Sequence, residues 1–202
     1  MNTSTYDREH VCLMVDVVMR KEAISGPMSR WQPWRWTLDA VQIRNEPPPP
    51  GLDLKRWTPA DLPSPHALDA QGLRWCFPGF PVVLYRDDAE GYYLNGTTEA
   101  PCWFVMWRME EEASVGTEPL ARPHAVSLSY HDAGRWLDSQ ETVEQLAAPD
   151  HVVQEMMAFA QSHYVPEPKK RKRPDSFVPL TDRFGNPAKV STGKLRGGGG
   201  HG

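Results

Sequence analysis

Residues 102–109, Cys-Trp-Phe-Val-Met-Trp-Arg-Met, alternate with period two yet carry large apolar side chains on both faces. Trp103, Val105 and Trp107 share one face, while Phe104 and Met106 with Arg108 share the other. Successive side chains of a strand point opposite ways, so a strand apolar on both sides must be covered twice. The segment therefore predicts a strand central to a barrel or covered sheet. Two further stretches alternate. Residues 11–20 place Val11, Leu13, Val15 and Val17 on one pleat face, and Gly26-Pro27 ends the run. Residues 34–43 place Trp34, Trp36, Leu38 and Ala40 on one side and Arg35, Thr37, Asp39 and Val41 on the other.

The rest of the chain is read around these three strands. The four-proline run 47–50 lacks backbone donors and predicts an extended surface connection. Between it and residue 75, Arg56-Trp57 and Leu62-Pro63 suggest a short edge strand. Residues 80–86 and 92–94 flank the acidic, glycine-ended stretch 87–91, which predicts a β-hairpin. Residues 125–130 predict a last strand, with His131-Asp132 as the N-cap of a helix over 133–139. Asp150 predicts the cap of a longer helix reaching Tyr164, with an apolar stripe of Val152, Val153, Met156, Met157, Phe159, Ala160 and His163, stopped by Pro166. The expected fold class is α+β: an antiparallel, partly closed β-sheet of six or seven strands followed by two helices.

The chain of 202 residues is 40% apolar, and all eight tryptophans precede residue 166, enough for one domain with a real core. Charge divides it differently. Residues 1–165 hold 13 Lys+Arg against 23 Asp+Glu, a balance of −10, while residues 166–202 hold 9 against 3, a balance of +6. The plan is thus a flexible N-terminus over 1–9, an α+β domain over 10–165, and a disordered, basic, Gly-ended interaction tail over 166–202. A general nucleic-acid binder would be basic overall, so such a contact would have to come from the tail. Cys12, Cys76 and Cys102 are odd in number and widely spaced, which suits small buried hydrophobes in a reducing compartment. No segment has the length of a membrane span or the pattern of a secretory signal, and a cytoplasmic location is expected.

Catalytic and metal patterns are missing. The spacings C-x-x-C, H-x-x-x-H and H-E-x-x-H do not occur, so Cys12, Cys76 and Cys102 with His124 or His131 read as core, and neither metal nor cofactor is expected. No nucleophile motif accompanies His131-Asp132, and Glu110, Glu111, Glu112, Asp87, Asp88 and Glu90 read as acidic turns. The recognition signals are aromatic and cationic. Trp31, Trp34 and Trp36, beside Pro33 and Arg35, form a cluster large enough to leave an exposed protein-binding patch. Lys169, Lys170, Arg171, Lys172 and Arg173 resemble a nuclear import signal or a phosphate-binding patch, and equally a solvated linker. Phe177, Val178, Leu180 and Phe184 are apolar anchors in a polar arm, suited to ordering on a partner more than to folding back. Arg196 with Gly197, Gly198, Gly199 and Gly200 can thread a narrow groove, or simply end the chain.

Five strings carry a family resemblance: Arg35-Trp-Thr-Leu-Asp-Ala-Val41, Leu84-Tyr-Arg-Asp-Asp-Ala-Glu-Gly-Tyr-Tyr-Leu-Asn95, Trp103-Phe-Val-Met-Trp-Arg108, Val126-Ser-Leu-Ser-Tyr-His-Asp-Ala-Gly-Arg-Trp-Leu-Asp138 and His163-Tyr-Val-Pro-Glu-Pro-Lys-Lys-Arg171. Together they resemble an uncharacterised proteobacterial domain-of-unknown-function family encoded near molybdenum-dependent formate dehydrogenases. The resemblance implies a non-enzymatic accessory, maturation factor or small subunit of a formate dehydrogenase, with the tail ordering on that partner, and it carries no catalytic residues. The alternative is a nucleic-acid-binding or regulatory protein acting through residues 169–173. A third reading is an enzyme assembled from distant residues, which a deep polar cleft would favour.

Overall fold

The computed structural model describes residues 11–46, 48, 57–71, 73–110 and 119–165. The N-terminal segment expected to be flexible, the tail from residue 166 and its candidate residues lie outside the described residues, as does the four-proline run apart from Pro48. Among the described residues seven strands and three α-helices follow one another as β1 (Val11–Ala23), β2 (Trp34–Ile43), β3 (His66–Ala67), β4 (Arg74–Leu84), α1 (Ala89–Gly96), β5 (Cys102–Glu110), β6 (Leu120–Ser127), α2 (Tyr130–Asp138), β7 (Thr142–Ala147) and α3 (Asp150–His163). The fold is α+β, as expected.

The strands form two antiparallel sheets, in the orders β2-β1-β4-β3 and β6-β5-β7. The sheets meet along two seams, β4 beside β6 and β2 beside β7, so the β structure is partly closed. A bulge bends the first sheet where β1 passes β4: Val15 pairs with Phe80 but Val17 with Phe77. Pro78 and Gly79 therefore oppose Asp16 alone, whose carboxylate accepts the Gly79 N–H at 2.9 Å. Gly79 has φ 91°, a conformation that glycine adopts without strain.

Both faces of β5 are covered. Trp103 and Val105 join Val15, Val17, Met19, Phe77, Phe80 and Val82 in the main core. On the other face Cys102 and Phe104 are buried with Ala133 of α2, backed by Trp136 and Val143. The double-sided pattern has the double cover it predicted over residues 102–105, while Arg108 and Met109 at the far end are exposed. Helix α3 closes the main core with Val152, Met156, Phe159 and Ala160.

Several boundaries differ from the sequence expectation. The predicted hairpin around residues 87–91 is a helix start. Ala89, Tyr92 and Asn95 are buried at three-residue spacing, a helical and not a pleated period. The Tyr92 hydroxyl accepts the Tyr85 N–H at 3.1 Å and donates to the Val83 carbonyl at 3.3 Å, capping the end of β4. Burial pushes the Tyr92 phenol well above its ordinary range. Strand β6 runs earlier than predicted and ends at Ser127. The N-cap of α2 is Ser129, not His131-Asp132: its Oγ accepts the N–H groups of His131 at 3.1 Å and Asp132 at 3.4 Å. Asp150 lies inside α3, with Pro149 at the cap position. Strand β7 has no counterpart in the sequence reading, and the edge strand sought at Arg56-Trp57 and Leu62-Pro63 is not there: Pro59–Asp61 form a 3-10 turn, the short edge strand is β3 at His66–Ala67, and Arg56 lies outside the described residues.

Candidate interaction groove

The seam between β2 and β7 is closed by one side chain. Glu144 of β7 accepts the Leu38 N–H of β2 at 2.6 Å through one carboxylate oxygen and the Trp107 indole N–H of β5 at 3.2 Å through the other. Beyond it the seam opens, because the two neighbours of β5 differ in length. Pairing of β5 with β7 stops at Trp107 with Thr142, whereas pairing with β6 continues to Glu110. Among the described residues no strand lies between the first half of β2 and the last residues of β5.

The resulting groove encloses about 550 Å3 and is walled by Trp34 and Trp36 of β2, Trp107 and Met109 of β5, Pro33 and Pro119. Trp34 and Met109 are 42% and 46% exposed, so these apolar walls are open to solvent. The charged residues lining the groove are Lys21 and Arg35, both cationic. The Lys21 ammonium lies 5.2 Å from the Trp34 ring centroid, a cation–π contact. Arg35 holds the Glu22 carboxylate at 3.1 and 2.9 Å. At the far side Arg108 is bound to Glu141, and this guanidinium holds the Glu141 carboxyl below its usual range.

Of the predicted aromatic cluster, Trp34 and Trp36 line the groove. Trp31 does not; it stands 87% exposed on the turn before β2. Trp107 and Met109 were legible only as strand residues, because their exposure depends on where β7 stops. The candidate metal set does not assemble: among the described residues no three of His, Cys, Asp and Glu converge to hold a metal ion. Cys76 and Cys102 are buried free thiols whose pKa values burial pushes up. His124 is pushed down by burial and then by Arg108. Of the acidic turn residues, Asp88 faces His131 and Arg135, Glu90 accepts the Tyr164 hydroxyl at 3.0 Å, and Glu110 meets Arg122 at 3.3 Å. Among the described residues no helix is long and apolar enough to cross a membrane.

Glu144 is the latch of this site. Glu144→Ala strands the Leu38 and Trp107 donors and is expected to lower stability by about 1–3 kcal/mol in urea unfolding followed by tryptophan fluorescence. Glu144→Gln keeps an acceptor and should lose less.

Fold and groove together define a two-sheet α+β domain with an aromatic groove where its sheets part. The chain belongs to the family described as Protein of unknown function (DUF3305), whose model matches residues 14–173. The resemblance to an uncharacterised family holds at that level. No curated protein and no solved structure matches the chain.

Proposed function

We propose that this protein is a non-enzymatic accessory, maturation factor or small subunit that docks on a larger protein through the groove between β2 and β5. The partner is a formate dehydrogenase, on the resemblance given by the five sequence strings. The reading rests on one observation: Trp34 and Met109 stand exposed at an unsealed seam, beside half-buried Trp36 and Trp107, and among the described residues the charged lining is cationic. Tryptophan, methionine and arginine are enriched where proteins bind one another, and a few such anchors carry most of the binding energy. Among the described residues the lining has no histidine, carboxylate, cysteine or serine, which leaves those residues little for acid–base or nucleophilic chemistry.

The test is titration of the full chain against purified molybdenum-dependent formate dehydrogenase from the same cells. Trp34→Ala and Met109→Ser replace exposed side chains and should leave the fold intact. Each is expected to weaken binding about tenfold or more. No binding by the full chain would remove the dehydrogenase as partner, and equal binding by the variants would remove the groove. Retention of nucleic acid alone, lost steeply with added salt, would favour the basic-run reading.

A further inference from the structure

The groove holds an unused main-chain edge as well as aromatic walls. Hydrogen bonds alternate along an antiparallel pair, so every second residue of β2 turns its N–H and C=O toward β1 and the others turn away. Two bonds fix the phase. Ile24 N–H donates to the Pro33 carbonyl at 2.9 Å, so Pro33 faces β1. Leu38 N–H donates to Glu144 on the opposite side, so Leu38 faces away from it. The register pairs Ala23 with Trp34, Glu22 with Arg35, Lys21 with Trp36, Arg20 with Thr37 and Met19 with Leu38, without a shift. Arg35 and Thr37 therefore bond to β1, while the N–H and C=O groups of Trp34 and Trp36 point into the open seam. Among the described residues no strand pairs with that edge of β2.

We propose, as a refinement that rests on the docking role assigned above, that the groove binds an extended segment of the partner protein by strand addition to β2 at Trp34 and Trp36. Each of these two residues offers one donor and one acceptor, so the added strand makes up to four main-chain bonds over a span of about 10–13 Å. Glu144 stops the added strand at Leu38, and at the other end the Gln32 N–H is already given to the Met28 carbonyl at 3.0 Å. Every second side chain of the segment enters between the tryptophans, which calls for an apolar residue there. The Lys21 ammonium beside the Trp34 ring favours a flanking aspartate or glutamate, the Arg35 guanidinium being already bound to Glu22. A polyphosphate strand fits less well. It offers no backbone donors for the Trp34 and Trp36 carbonyls, and it would bring dense negative charge to a domain with a balance of −10 over residues 1–165.

Hydrogen exchange on the isotope-labelled full chain tests the premise. The amides of Trp34 and Trp36 should exchange about a hundredfold faster or more than those of Arg35 and Thr37 beside them. Protection already present in the free chain overturns the proposal: protection independent of concentration means the chain fills its own edge, and protection rising with concentration means a second copy does. The occupant is then probed with displayed random dodecapeptides, selected on the full chain and counter-selected on its Trp34→Ala variant. The selected peptides should be enriched in Asp and Glu and should slow exchange at Trp34 and Trp36 about tenfold or more. The best peptide is resynthesised twice, with alternate amides N-methylated in one register or the other. One form should lose about tenfold or more in affinity and the other should bind within about twofold, because only alternate amides face β2. If both forms bind like the parent, strand addition is wrong while groove docking stands. If no peptide survives counter-selection, or if oligothymidylate alone protects the two amides, both readings fall.

Discussion

Asn95→Leu is expected to cost about 3–5 kcal/mol of unfolding free energy, because the residue stands in for a missing strand neighbour and each buried group left unpaired costs about 1–3 kcal/mol. Asn95 is 1% exposed on α1. Its amide nitrogen donates to the carbonyls of Cys102 and Leu128, each at 2.8 Å, and its amide oxygen accepts the Cys102 N–H at 3.1 Å. One side chain thus joins α1, the start of β5 and the segment between β6 and α2. Leucine matches the volume but leaves all three main-chain groups buried and unpaired. Chemical denaturation with circular dichroism measures the loss; a cost below about 1 kcal/mol would mean that water or a local shift replaces the amide.

Asn95→Asp adds a pH signature. Two carbonyl oxygens face the position of the amide nitrogen, so the carboxylate oxygen placed there would meet acceptors in a dry site, while the other oxygen keeps the Cys102 N–H. The folded-state pKa of the introduced acid is therefore raised above its unfolded value of about 4. A protonated acid keeps one donor, so this variant is most stable below pH about 4. Its stability then falls as pH rises toward the raised folded value, because the native state holds the proton longer than the unfolded chain does. A variant that gains stability from pH 4 to 7 would contradict this placement of the amide.

How much of this was readable beforehand follows from what each element packs against. Strands β1 and β2, central β5 and the long helix α3 announce themselves because their apolar period runs for eight residues or more. The start and end predicted for β2 are those observed. Helix α1 hides its period, since Gly91 meets α2 while Tyr92 meets Phe159 of α3, and a short helix covered on two sides shows no single apolar stripe. The segment 92–94 then looks like half of a hairpin. Strand β7 has only Val143, Leu146 and Ala147 as apolar residues, and its place is set by pairing with β5 rather than by its own pattern. The site was half legible. Trp34 and Trp36 are conspicuous as a sequence cluster, but Trp107, Met109 and the Glu144 latch join them only because β7 stops at Thr142, a consequence of long-range register. The candidate residues of the tail, from Lys169 to Gly200, fall outside the described residues.

Gly91→Ala is the second large effect expected, at about 2–3 kcal/mol of lost stability, and its cause is the closeness of α1 to the start of α2. A β-carbon at residue 91 would lie 2.2 Å from the Ser129 Oγ and 3.3 Å from both the His131 Cγ and its backbone nitrogen. The hydroxyl has little room to yield. Ser129 is fully buried, its Oγ accepts two helix N–H groups, and its own N–H donates to Ser127 Oγ at 3.0 Å. Gly96 makes the informative contrast. A β-carbon there would lie 2.1 Å from the Met157 sulfur and 2.7 Å from its Cγ, but both belong to a flexible, half-buried side chain, so Gly96→Ala should cost less. Helix propensity favours alanine over glycine at both positions by about 1 kcal/mol, so any loss measured is a lower limit on the steric term. Ser129→Ala alone removes the cap and should cost about 1 kcal/mol. Combined with Gly91→Ala it also removes the obstructing oxygen, so the double variant should be less destabilised than the sum of the two by about 1 kcal/mol or more. Strict additivity in urea unfolding would mean that the helices move apart as rigid bodies, and that Gly91 does not set the spacing of α1 and α2.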